Sequence, residues 1–450
     1  TSLAIGHKRV GKEETGLGGK AISNLTGLSH EAVLHLHRVV DGTTVTDDGV
    51  LTDHACTDKH WCVHGAHHRT LRESGSTTDL TVALDDGVSD ILGVDDLHVV
   101  SDIATVRTRH PQLVFNHLMQ TLGGEASVAV NLDSLSHESI FFRHFYANSF
   151  RTDRGLVSIL SGYPAAPTMS LMKYPRKTQH LPSIANVLRL VGYDLSYYYG
   201  GDANFTNMRS YLRASGFGTI VSEDDFSSSE RQSKWGVHDG VLFSRLLSDL
   251  QEEAKTYRED ATPHFRVLQT SSSHEPFEVP YQKLENPRLN AFAYTDSCVG
   301  DFVRRFARLP QWKNTVLVIV PDHLGAYPED IDNLTVERYQ IPLLITGGAI
   351  RQPMEVETIG SQQDIAATLL AQLDLPHSDF RFSKDLFDPV SPHFAFFTVP
   401  DAMGMVTEEN QWIYDNKLGR AVVDEGLSPG LNAQAAKAYL QKLYDDIAEK

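Results

Sequence analysis

Proline is absent from the first 110 residues of this chain, and aromatic side chains nearly so. Of 19 prolines the first is Pro111, and Trp61 is the only Phe, Tyr or Trp before it. A core built without Phe or Tyr forgoes the side chains that bury the most area. Turns can form without proline, but 110 residues of them are unusual. Cysteine is scarce throughout. Cys56, Cys62 and Cys298 cannot make a disulfide framework, and they say little about redox compartment. No run approaches the roughly 18–20 apolar residues of a membrane span. The first thirty residues lack the apolar middle of a signal peptide. As written, the chain is expected to contain no membrane span. Positive charge is also short, with 40 Lys and Arg against 58 Asp and Glu, a net −18. Nucleic acid and anionic membrane surfaces are therefore poor partners for the chain as a whole, although a local basic site for one phosphate is allowed.

What is present looks globular. The chain has 450 residues, of which 41% are hydrophobic and 22% charged. That length allows two or three domains, or one large α/β domain with an extension. Eleven of the 21 histidines fall in the first 110 residues. Three readings of this atypical segment compete. It could be a small, loose His-rich domain. It could bind metal through Cys56, His60, Cys62, His64, His67 and His68, although the cysteines are not spaced as a zinc pair. The reading we favour is an out-of-register translation or faulty gene start. An intact alternative frame upstream of codon 111, encoding an apolar strand, would support it.

From Phe115 onward the pattern is ordinary. Leu132 to Phe145 carries helix-like and then strand-like spacing. Helices are predicted over Leu156–Leu160, Ser183–Leu190, His238–Ala254, Leu289–Ala307 and Gln363–Leu373. Strands are predicted over Asp194–Tyr199, Phe265–Gln269, Thr315–Val320 and Ile341–Thr346. Thr315–Val320 is a near-continuous β-branched run, the mark of a strand covered on both faces. Strands alternating with helices argue for an α/β fold: a mainly parallel central sheet with helices on both faces. We divide the chain into the segment 1–110, a catalytic core over 111–385 and a smaller C-terminal subdomain over 386–450.

In such sheets chemistry gathers beyond the carboxyl ends of the strands. Asp322-His323 follows the most apolar strand, and a carboxylate beside an imidazole can hold a divalent cation. Thr152 precedes a predicted helix, whose N-terminus favours a phosphate. Its hydroxyl could attack phosphorus if a metal lowered its pKa. His274, in a Ser-rich loop after another strand, could protonate a leaving oxygen. Arg209 could clamp a phosphate. Lys234-Trp235-Gly-Val-His238 adds an aromatic and a further histidine at a pocket wall. Each residue alone has an ordinary reading: a surface Asp-His, a helix cap, a loop histidine, a solvated arginine. Together they make the set that phosphoryl transfer through a covalent intermediate requires.

The block FYANSFRTDRGLVSILSGYP (145–164) resembles the nucleophile segment of the lipoteichoic acid synthase-like branch of the alkaline phosphatase and sulfatase superfamily. The likeness continues through LPSIANVL (181–188), YYYGGDANF (197–205), SSSHEPF (271–277), AYTDSCVGDF (293–302), VPDH (320–323) and SQQDIAATLL (361–370). It covers roughly residues 115–450. The resemblance implies that fold, with Thr152 as both nucleophile and metal ligand and Asp322 and His323 as the metal-binding pair. It makes His274 the substrate-side histidine and Arg209 a head-group arginine; our own reading of the segment from Lys234 places Trp235 and His238 beside the substrate as well. It implies Mn²⁺ or Mg²⁺ as cofactor. The reaction implied moves a phosphoglycerol or phosphoethanolamine head group from a phospholipid to a hydroxyl acceptor, on the extracytoplasmic face of the cell envelope membrane.

The chain departs from the family at two points. The first-strand carboxylate that completes the family's metal site should fall near Gln112, yet Ile103 to Gly124 contains no Asp or Glu. The family's N-terminal membrane helices are not found either. Weak metal binding and impaired activity are the expected consequence. The alternatives are a sulfatase-like hydrolase or phosphodiesterase on the same fold, or a non-catalytic remnant. Sulfate ester hydrolysis is disfavoured because no C-x-P-x-R or S-x-P-x-R segment occurs.

Overall fold

The computed structural model describes residues 2–6, 71–73, 76–78, 118–258, 261–324 and 331–450. The Cys56–His68 cluster and the expected strand end near Gln112 lie outside the described residues. So does most of the segment 1–110.

The strands in chain order are β1 (Ser2–Gly6), β2 (Leu71–Glu73), β3 (Ser76–Thr78), β4 (Ile140–Phe142), β5 (Phe145–Tyr146), β6 (Asp194–Tyr199), β7 (Thr219–Val221) and β8 (His264–Gln269). They continue as β9 (Thr315–Ile319), β10 (Leu343–Thr346), β11 (Met354–Val356), β12 (Gly360–Ser361), β13 (Ala395–Val399), β14 (Ala402–Val406), β15 (Asn410–Asp415) and β16 (Arg420–Gly426). The principal helices are α1 (Val130–Ser136), α2 (Thr152–Ser161), α3 (Ile184–Leu190), α4 (Met208–Ala214), α5 (Asp239–Ala254), α6 (Pro287–Phe306), α7 (Asp364–Gln372) and α8 (Leu431–Glu449).

Among the described residues the central sheet has eight strands in the order β11-β4-β10-β9-β1-β8-β6-β7. Pairing is parallel at β11/β4, β8/β6 and β6/β7, and only β10 and β1 run against the rest. The two-residue period of a strand explains the layers. In β9, Val316 and Val318 join the hydrophobic cluster on one face. Leu317 and Ile319 join the cluster on the other. The first face is covered by α2, α3, α4 and α7, through residues such as Leu156, Leu188, Tyr211 and Leu369. The second is covered by α5 and α6 through Leu246, Leu250, Phe302 and Phe306. Each such side chain, fully buried, contributes roughly 1.5–3 kcal/mol.

The predicted helices and strands from α1 to α7 form with boundaries moved by a few residues. Ser183 caps α3 by accepting from Asn186 N at 3.4 Å. Asn286 caps α6, its Oδ1 accepting from Arg288 N and Leu289 N, and Pro287 takes the first turn. Beyond α7 the chain forms the antiparallel sheet β13-β14-β15-β16, flanked by α8. This part shares the core of the first face through Phe396, Met405, Trp412 and Leu443. Its β13 reaches the start of the site, because Thr398 N donates to Asn148 O at 2.9 Å.

Candidate active site

Four segments meet at the carboxyl end of the sheet. The first is the N-terminus of α2. Arg151 occupies the cap position in an extended conformation and makes no side-chain capping bond, so Thr152 is the first helical residue. The Thr152 hydroxyl is therefore not used as a cap. Its Oγ1 lies 3.4 Å from His323 Nε2 and faces the Asp322 carboxylate.

The second segment is the turn after β9. His323 Nδ1 is 2.9 Å from the carbonyl oxygen of Leu324. A carbonyl only accepts, so Nδ1 carries a proton and Nε2 is the nitrogen turned toward Thr152. Asp322 Oδ1 accepts from His323 N at 3.0 Å. Burial pushes the Asp322 carboxyl upward, but nearby positive charge, that of His323 foremost, outweighs it and holds it below the usual carboxylate range. The carboxylate is thus ionised at neutral pH.

Close packing fixes this pair of segments. Gly155 lies one turn along α2, directly on the Asp322 backbone. A Cβ there would stand 2.3 Å from the Asp322 carbonyl oxygen. Only glycine lets the helix come this near.

The third segment is the loop after β8. Asp239, fully buried at the start of α5, accepts from Ser271 N at 2.9 Å and Ser272 N at 3.1 Å. Its other oxygen accepts from Thr295 Oγ1 at 2.6 Å, and Ser272 Oγ accepts from Asp239 N at 2.8 Å. This reciprocal pairing fixes the base of the loop that carries His274. His274 itself is exposed. Its ring centroid is 4.4 Å from that of Trp235, whose Nε1 donates to Glu275 O at 2.7 Å. Phe205 meets Trp235 edge-on at 6.0 Å, completing an aromatic wall.

The fourth segment follows β6. Tyr199 is buried, and its phenol is pushed up first by burial and then by the charges of Asp322 and Glu223. Gly200 and Gly201 pack against the Trp235–Val237 backbone, with Val237 N donating to Gly200 O at 2.9 Å. Thr206 and Asn207 adopt left-handed φ of 52° and 65°. Such conformations cost of order 1–3 kcal/mol each and cluster at functional sites. They turn the chain into α4, where Arg209 Nε donates to Asn204 Oδ1 at 3.0 Å and Nη2 to Ser222 Oγ at 3.2 Å.

Thr152, Asp322 and His323 are thus in mutual contact, while Trp235 and His274 form a second contact pair. Arg209 is held by Asn204 and Ser222. His238 is buried. It lies edge-on to Tyr294 at 6.2 Å and borders a cavity of about 590 Å³ shared with Phe226, Ser244 and Arg245. Among the described residues, no group of three or more His, Cys, Asp or Glu side chains is placed to hold a metal ion. Gly155, Asp239, Asn148 and Gln362 did not stand out individually in the sequence, although all but Asp239 lie inside blocks that carry the family resemblance.

The profile of the family described as Sulfatase matches residues 112–375. A curated relative, phosphoglycerol transferase I of Xanthomonas campestris pv. campestris strain B100, is 28% identical over 305 residues, 64% of this chain and 42% of that protein. The lipoteichoic acid synthase-like YvgJ of Bacillus subtilis strain 168 is 22% identical over 296 residues, 59% of this chain and 46% of that protein. The chain thus spans less than half the length of these relatives. Among solved structures, a protein of the alkaline phosphatase superfamily from Vibrio parahaemolyticus superposes with a TM-score of 0.64 at 26% identity. It covers 74% of this chain and 86% of that one. The lipoteichoic acid synthase LtaP of Listeria monocytogenes gives 0.59 at 18% identity, covering 71% and 86%.

Proposed function

The chain belongs to the sulfatase family, and on that premise we propose that it transfers a phosphoglycerol or phosphoethanolamine head group from a phospholipid to a hydroxyl acceptor through phospho-Thr152. The observation that carries this reading is the contact of Thr152 Oγ1 with His323 Nε2 at 3.4 Å, with the Asp322 carboxylate 3.8 Å from the same nitrogen, at the open end of a helix. The names of the curated relatives support the same chemistry.

The donor set has the composition a divalent cation accepts: one ionised carboxylate, one imidazole nitrogen aimed by its own second hydrogen bond, and one hydroxyl. Asp322, His323 and Thr152 would hold Mn²⁺ or Mg²⁺, which would lower the pKa of the hydroxyl and offset charge on a phosphoryl oxygen. The first N–H groups of α2 point the same way and favour the phosphate. Thr152 Oγ1, its proton lost to solvent, attacks phosphorus in line, and the bond to the diacylglycerol oxygen breaks. His274 protonates that oxygen. An acceptor hydroxyl then passes its proton to His274, attacks phosphorus and releases Thr152. Arg209 would bind the head group, and the Trp235–His274 wall would border the acceptor path. His238 would meet substrate from the cavity it borders. With phospholipid as donor, the reaction belongs at the extracytoplasmic face of the cell envelope membrane. Among the described residues no helix is long and apolar enough to cross a membrane.

Only one carboxylate, Asp322, is found in the donor set described, and hard divalent ions depend on carboxylate charge. Calorimetric titration with Mn²⁺ is therefore expected to show weak binding. Tight binding would mean that a further acid completes the site.

Product analysis tests the transfer itself. The protein is incubated with Mn²⁺ and a phosphoglycerol lipid, with and without an added alcohol. The expected result is diacylglycerol release in which the alcohol carries off most of the phosphoglycerol. Free glycerophosphate alone, unaffected by the alcohol, would make the protein a phosphodiesterase. Release of sulfate from an aryl sulfate in preference to either would make it a sulfatase.

A further inference from the structure

The two loops of the Thr152 site are joined by one side chain that sits in neither. Gln362 follows β12 and is fully buried. Its Oε1 accepts from Asn148 N at 2.9 Å, four residues before Thr152. Its Nε2 donates to Pro321 O at 2.8 Å and to Asp322 O at 2.7 Å. The orientation of the amide is fixed by these partners. The two carbonyls need donors and the backbone N–H needs an acceptor, so a flipped amide would lose all three bonds. Both protons on the nitrogen are used on consecutive carbonyls of the turn that presents Asp322 and His323.

The neighbouring Gln363 makes a contrast. It is equally buried, but its Oε1 accepts from the Asn148 side chain at 2.7 Å and its Nε2 donates to Ser361 Oγ at 2.9 Å. It holds one side of the site and does not reach the other. Gln362 alone of the pair spans both.

We propose that Gln362 is a positioning residue that sets the separation between Thr152 Oγ1 and the Asp322–His323 pair, by hydrogen bonding both loops at once. This rests on the reading of those three residues as the catalytic centre. Catalysis is sensitive at this level, because a displacement of about 1 Å can cost roughly 100-fold in rate. Gln362 touches no reacting atom, so its loss should lower kcat and leave KM nearly alone.

The test compares Q362L, Q362N and Q363L in the full chain. Hydrogen exchange read by mass spectrometry reports on residues 146–152 and 322–324, and steady-state turnover of a phosphoglycerol lipid reports kcat and KM. In Q362L, exchange should rise roughly tenfold or more in both segments together, and in Q363L only in the first. Q362L should lose about 100-fold in kcat with KM within about twofold, and Q363L less than about fivefold. Q362N keeps the amide but is one methylene too short to span the gap, so it should behave as Q362L does. Exchange raised in one segment only, or kinetics matching those of Q363L, would overturn the proposal. So would unfolding of both position-362 variants, which would make Gln362 a general core residue. If the unaltered chain turns over no phosphodiester, the functional reading fails, while the exchange comparison still decides whether Gln362 couples the loops.

Discussion

Thr152→Ala is expected to lower phosphoglycerol transfer by at least about 10⁴-fold, since loss of an attacking oxygen leaves only binding and electrostatics to assist the reaction. The fold should survive. Thr152 is the first helical residue, after the Arg151 cap, and its hydroxyl meets the His323 side chain, not a main-chain group. The substitution removes no main-chain partner, so stability should change by no more than about 1 kcal/mol. Thr152→Ser keeps the oxygen and should retain a substantial part of the rate. Initial rates with a phosphoglycerol lipid, set beside a thermal melt of each variant, separate lost chemistry from lost structure. An alanine variant as active as the parent would mean that the attacking group is elsewhere.

Gly155→Ala is expected to act through geometry alone. In an open helix position, glycine to alanine stabilises by roughly 1 kcal/mol. Here the sign reverses, because the new Cβ would stand 2.3 Å from the Asp322 carbonyl oxygen and 3.0 Å from its carbon. Both are main-chain atoms that cannot swing aside. The helix must retreat, and overpacking of this kind costs about 1–3 kcal/mol. Thr152 is on the same turn of α2 and retreats with it, away from Asp322 and His323. A drop in rate of about 100-fold should accompany the lower melting temperature. Alanine at this position with a higher melting temperature and an unchanged rate would show that the helix is not pressed against the turn.

Much of the architecture was legible because the core strands announce themselves. The β-branched run of β9 is buried on both faces, the lengths of α3 and α6 follow their caps, and α5 follows its apolar stripe. The C-terminal sheet was less legible. The sequences AFFTV and AMGMV of β13 and β14 are buried throughout and show no alternation, and the apolar period that separates strand from helix is missing there. The antiparallel direction of β10 within a mainly parallel sheet also has no local signature.

The site divides in the same way. Thr152, Asp322 and His323 were readable because titratable and nucleophilic residues stand out at a strand end. Gln362 and Asn148 were not singled out, because neutral amides carry no such mark, and the contact that gives Gln362 its place spans 214 residues. The adjacent pair Gln362-Gln363, just ahead of the largely apolar α7, is the one local hint. Asp239 reads as an ordinary first-turn acid until Ser271 and Ser272 are seen on its carboxylate.

The most direct test of the Thr152 centre is to quench the protein during turnover of a phosphoglycerol lipid with Mn²⁺ and no acceptor, then map peptides by mass spectrometry. A phosphoglycerol adduct on the side chain of Thr152, absent from the alanine variant, is the predicted result. Turnover that proceeds with no adduct on that peptide, and continues in the alanine variant, would contradict it.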